Sequence, residues 1–205
     1  MPKRILPETA LSETRDEIVF TRGALKAHPI ARVLLPETEG WLAPITALRD
    51  QMETNEVERI ELDAEYKILN AAFDADCIEF SPVALKAAGG DREDTRYTRY
   101  FAVAPSVFVK QDIDEQIKAV EGWLTVQDPT LDPWRERFAA HLAALKDHRA
   151  RRRASQQKTR SFEIAREAAA TTLTDQRDAL HRRLGEQGQQ SSQPRGYADL
   201  FFRIG

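Results

Sequence analysis

The side chains best placed to do chemistry in this chain form two opposed charge blocks. The first, Lys146-Asp147-His148-Arg149-Ala150-Arg151-Arg152-Arg153, continues to Lys158 and Arg160 and sets seven cations against one anion. Clustered Arg and Lys release counterions from phosphates and supply the sequence-independent part of nucleic-acid affinity. This block has no interleaved aromatics on which bases would stack. The chain also holds an almost equal acidic block: Asp50, Glu53, Glu56, Glu58, Glu61, Asp63 and Glu65, with Arg59 as its one cation. The match predicts that Arg149, Arg151, Arg152 and Arg153 pair with Glu53, Glu56, Glu58 and Glu61, within the chain or between copies. Such contacts guide association more than they stabilise. Arg152-Arg153-Ala154-Ser155 also fits a basophilic-kinase pattern, a short match that an Arg-rich helix produces by chance.

Metal and nucleophile chemistry find weaker support. His141 and His148 lie seven apart, and Asp178 with His181 has the i, i+3 spacing of a bundle metal site. A di-iron bundle needs Glu-x-x-His twice, with further glutamates among apolar neighbours. No metal and no cofactor is therefore expected, and the histidines read as surface groups. Cys77 shares an apolar row with Phe73 and Phe80, as a buried and unactivated thiol would. His28 is the one histidine before residue 141, so no Cys–His pair can be argued. Nucleophile-elbow, phosphate-loop and dinucleotide fingerprints are absent from the sequence.

The C-terminal residues carry a different signal. Gly185 to Pro194 has the Gln-, Gly- and Ser-rich composition of a flexible linker. Beyond it Tyr197, Leu200, Phe201, Phe202 and Ile204 form an apolar cluster that must dock on something to leave water. It covers either its own bundle or a partner, in the manner of a tethered docking peptide.

Long helices must position these groups. Pro and Gly are missing from Ile45 to Ser81 and from Trp134 to Leu184, both rich in good helix formers. Between Val57 and Phe80 two apolar rows recur at spacings of three and four. One is Val57, Ile60, Ala64, Ile68, Ala71, Ala75 and Ile78; the other is Leu62, Tyr66, Leu69, Phe73, Cys77 and Phe80. They read as one broad face, wider than a coiled-coil seam and packed on two sides. Leu11, Ile18 and Leu25 mark a helix ending near His28-Pro29, and Trp41, Ile45, Leu48 and Met52 mark another, with Pro44 at its start or bend. A further helix follows Asp112 and Glu115, a capping-box pair. Asp91 to Val109 reads as an ordered loop. Trp134 to Leu184 is either one helix of about 76 Å or a hairpin with its tip near Arg151–Gln157; the hairpin, or a long helix whose polar middle projects from the core, is preferred.

The two halves also align at an offset of about 97 residues. Pro36, Trp41, Ile45 and Leu48 fall opposite Pro133, Phe138, Leu142 and Leu145. The predicted fold is all-α: a helical bundle of long antiparallel helices over 1–188, with duplicated helical-hairpin units at 8–90 and 106–188. A flexible linker and apolar tail follow at 189–205.

Composition agrees with that class. Of 205 residues, 41% are apolar and 31% charged, the latter above the usual quarter, as long surface-rich helices require. A net charge of −3 argues against a dedicated nucleic-acid binder. One cysteine excludes an intramolecular disulfide. Met1 to Pro7 has no apolar stretch behind its cations, unlike a secretory signal, and no run approaches a membrane span; a cytoplasmic location follows. The resulting expectation is a non-enzymatic scaffold or adaptor that contacts a protein partner or itself. The alternatives are nucleic-acid binding through 146–160, or a small enzyme or ligand-binding bundle with a pocket by Trp41, Tyr66 or Tyr97.

Overall fold

The computed structural model describes Pro2 and residues 4–203, and among these every regular element is helical. The all-α expectation holds. Helix α1 spans Leu11–Ala27, and a 3-10 segment, Ala31–Thr38, leads to the long α2, Leu42–Ala87. Two short turns follow, α3 at Thr95–Thr98 and α4 at Pro105–Phe108, then α5 at Ile113–Thr125. A 3-10 turn, Asp132–Trp134, opens α6, Arg135–Gln190, and a last 3-10 segment covers Tyr197–Phe201.

Local chemistry sets these boundaries. Pro44 sits in the first turn of α2, where the missing N–H has no intrahelical role. At the other end Gly89 and Gly90 adopt φ of +74° and +86°. The Gly90 N–H then reaches back to the Leu85 carbonyl at 2.9 Å, a Schellman closure that most side chains would strain. Asp112 caps α5 by accepting from the Asp114 N–H at 2.8 Å.

The chain divides into two compact units, Met1–Val57 with Gln156–Gly205, and Glu58–Ser155. Each has its own core. In the first, Ile18 and Leu25 of α1, Trp41 and Ile45 by the start of α2, and Leu180 and Leu184 of α6 join Tyr197, Phe201 and Phe202. In the second, Phe73, Cys77 and Phe80 of α2 pack with Tyr100, Phe101, Phe108, Trp123, Trp134 and Phe138. Phe80 sits within 6.2 Å of five other aromatic rings, in tilted and edge-on pairings. Within this second unit α2 and α6 run in opposite directions: Asp76 meets His141, whereas the earlier Leu62 meets the later His148.

Four readings of the sequence need correction. The hairpin over 134–184 is one continuous helix; no Gly or Pro interrupts it, and Ser155 and Phe162 are buried along its polar middle. The loop of 91–109 contains two helical turns, and its Tyr97, Tyr100, Phe101 and Phe108 belong to a core. Gly185 to Gln190, composed like a linker, completes α6. The two rows of α2 do not merge into one face. At about 100° per residue they stand on opposite sides of the helix; Leu62, Phe73, Cys77 and Phe80 are buried, and Ile60, Ala64, Ile68, Ala71, Ala75 and Ile78 are exposed.

Candidate interaction surfaces

The basic block lies on α6 and finds its partners within the second unit. Arg149 donates to Asp114 at 2.7 Å and Lys146 lies 2.5 Å from Glu121, both acceptors on α5. Arg151 bonds Glu65 of α2, and Arg152 stands 3.7 Å from Asp63. The Arg151 hydrogen bond holds the Glu65 carboxyl below its usual range. So α6 cations do meet the acidic stretch of α2, at Asp63 and Glu65. Arg153, Glu53 and Glu61 are exposed; Glu56 and Glu58 have partners of their own. Ser155 of the kinase-like tetrapeptide is buried at 6% exposure, out of an enzyme's reach in this fold.

A second polar cluster brings together residues far apart in sequence. Asp76 is 6% exposed and accepts hydrogen bonds from Arg137 and, at 2.8 Å, from His141 Nε2. Arg137 also reaches Glu79 at 3.2 Å and lies over the Trp134 ring at 4.6 Å. His148, at 1% exposure, stacks on Tyr66 and donates from Nε2 to the Leu62 carbonyl at 2.8 Å. These histidines are therefore structural members of helix contacts and not surface groups. A carboxylate holds one and a backbone carbonyl the other. Cys77 is fully buried, and burial pushes its thiol far above the ordinary value, the opposite of activation. Among the described residues no three His, Cys, Asp or Glu side chains gather as metal ligands.

The apolar row on the outer side of α2 is left uncovered. Ile60 is 54% exposed, Ile68 72% and Ile78 43%, with Ala64, Ala71, Ala75 and Pro82 exposed between and after them. Periodicity had revealed the row but not its isolation from the core.

In the first unit the tail folds onto its own chain. Tyr197, Phe201 and Phe202 are buried; Leu200 is 63% exposed, and Ile204 lies outside the described residues. Tyr197 and Phe201 both pack edge-on against His28. Asp199 meets His181 Nε2 at 2.9 Å, which lowers the carboxyl below its usual range. An open groove of about 560 Å³ borders the tail, lined by Phe20, Asp199, Leu200, Phe202 and Arg203. Behind Phe202 lies a group that the sequence offered no means of finding. Arg177 is 1% exposed and bonds Glu17 at 2.8 Å, with its guanidinium 5.4 Å from the Phe202 ring centre. Its Nε and Nη1 are buried without hydrogen-bond partners, and burial lowers its pKa.

Among the described residues no helix is long and apolar enough to cross a membrane. No protein-family model, curated protein or solved structure matches this chain.

Proposed function

We propose that this chain is a non-enzymatic helical scaffold or adaptor of the cytoplasm that makes protein–protein contacts through the outer face of α2. The observation that carries the reading is the apolar row from Ile60 to Ile78, exposed while the opposite row of the same helix is buried. An aliphatic stripe left in water across five turns is costly and marks a helix-docking surface. The ion pairs of Arg149, Arg151 and Arg152 favour this over nucleic-acid binding, because those cations already face carboxylates. The histidine and cysteine environments favour it over an enzyme.

Photo-crosslinking tests the reading. A benzophenone amino acid at position 68 should trap protein, another copy or a different chain, in lysate of the native host. The same group at the exposed position 160 serves as the control. Equal or absent trapping at both positions would remove the interaction role of this face.

A further inference from the structure

We infer that the tail segment 197–202 also seats in the tail-binding groove of a second copy, so that two chains dimerise by exchanging tails. The turn that folds the tail back carries the inference. Both long helices end in the same closure. In α2 the N–H groups of Gly89 and Gly90 return to the Lys86 and Leu85 carbonyls, and a glycine takes the left-handed position. In α6 the N–H groups of Ser192 and Gln193 return to Gln189 and Gly188 in the same pattern. Here the left-handed position is Ser192, at φ +54°, the one residue other than glycine with positive φ among the described residues. A Cβ in that conformation crowds the carbonyl oxygen that follows it. The closed turn is thereby disfavoured about fivefold against a straightened one, and short hinges under strain favour exchange.

The connector can change course without breaking any packing. Residues 191–196 include no buried side chain, and Pro194 would end an α6 extended past Ser191. The tail, in contrast, docks as a discrete unit. Tyr197 and Phe201 pack on His28 at the end of α1, Phe202 covers Arg177 of α6, and Asp199 meets His181, also on α6. A second copy presents the identical segment, and the exchange closes symmetrically. A short tether holds its own tail at an effective concentration of about a millimolar, and about fivefold relief at each of two hinges brings exchange to tens of micromolar, roughly.

Sedimentation of the whole purified chain between about 1 micromolar and about 1 millimolar tests this, with a dimer expected in the upper part of the range. Ser192→Gly removes the strain, touches neither tail nor groove, and should weaken the dimer about 25-fold. Ser192→Ile should strengthen it about tenfold, because a branched Cβ tolerates the left-handed turn least. A disulfide identifies the exchanged segment. A Cβ built on Gly188 lies 3.4 Å from the Tyr197 Cβ, close to the spacing of a disulfide. Gly188→Cys with Tyr197→Cys leaves Phe201 and Phe202 to seat the tail, and the natural Cys77 is buried. Oxidised at about 100 micromolar, this variant should run as a disulfide-linked dimer, and at about 1 micromolar as an internally linked monomer. A chain that stays monomeric to a millimolar, a dimer that responds to neither change at Ser192, or a disulfide that is internal at both concentrations would each overturn tail exchange.

Discussion

Tyr197 rests directly on Gly188: a Cβ built on that glycine would lie 2.7 Å from Cδ1 and 3.3 Å from Cγ of the ring. The contact joins the last turns of α6 to the tail, and the close approach is possible only because the residue has no side chain. Tyr197 is also held on its far side, where its hydroxyl meets His28 Nδ1 at 3.3 Å. The ring therefore has little room to retreat.

This relationship predicts a change of sign. Ala is favoured over Gly inside a helix by about 1 kcal/mol, yet here Gly188→Ala must push a ring that His28 blocks. Overpacking of this kind costs about 1–3 kcal/mol, so the substitution should lower stability in the natural chain. In a Tyr197→Ala background the obstacle is gone, and Gly188→Ala should stabilise by up to about 1 kcal/mol. Urea unfolding of the four variants measures this. Destabilisation of equal size in both backgrounds would disprove the contact.

Gly188 also shows where sequence reading stops. Its neighbourhood of Gln, Gly and Ser has linker composition, but composition carries no information about a ring packed from nine residues downstream. Periodicity recovered the helices well: Ile18, Leu25, Trp41, Ile45, Phe73, Phe80, Phe138 and Leu184 all stand in the cores that their spacing assigned. It found both rows of α2 yet merged them, although Ile60 and Leu62 are two residues apart and so face opposite sides of a helix. The polar stretch of α6 looked like a turn because it holds almost no apolar residues; Asp63, Glu65 and Asp114, far away in sequence, pair with its cations in the fold. The pairs Asp76–His141 and Glu17–Arg177 have no local spacing at all and become visible only in the fold.

The Glu17–Arg177 pair carries its own prediction. Arg177 is buried with two nitrogens unbonded, and its charge is compensated chiefly by Glu17, with a smaller attraction from Asp178. Removing only Glu17, as Glu17→Ala, should cost about 3 kcal/mol by leaving that charge unpaired. Replacing both, as Glu17→Leu with Arg177→Met, should be neutral or stabilising by about 1 kcal/mol or more, because a desolvated pair often gives way to apolar packing without loss. Thermal and urea unfolding of the single and double variants compare them. A double variant weaker than Glu17→Ala would mean that the arginine contributes more through its contact with Phe202 than its desolvation costs.

Asp128 makes the last test, through acid. Its Oδ1 accepts from the Thr130 N–H and its Oδ2 from the Tyr100 hydroxyl, each at 2.9 Å, with Arg99 at 3.8 Å. The Thr130 bond is the leading cause that holds this carboxyl below its ordinary value. A carboxyl lowered in the folded chain stabilises through its ionised form. That contribution is complete above the unfolded value of about 4 and is lost as pH falls through the lower folded value. Asp128→Asn should therefore cost about 1–2 kcal/mol near neutrality, and the cost should shrink as the pH falls through the lowered folded value, where the natural side chain also loses its charge. Burial and the same carboxylate raise the Tyr100 hydroxyl, so the opposite trend applies in alkali: its contribution is present below about 10 and fades above it. Unfolding free energies measured across pH for both chains decide the matter. A constant difference between them from acid to neutral pH would show that shape, and not charge, is what Asp128 supplies to the packing of Tyr100.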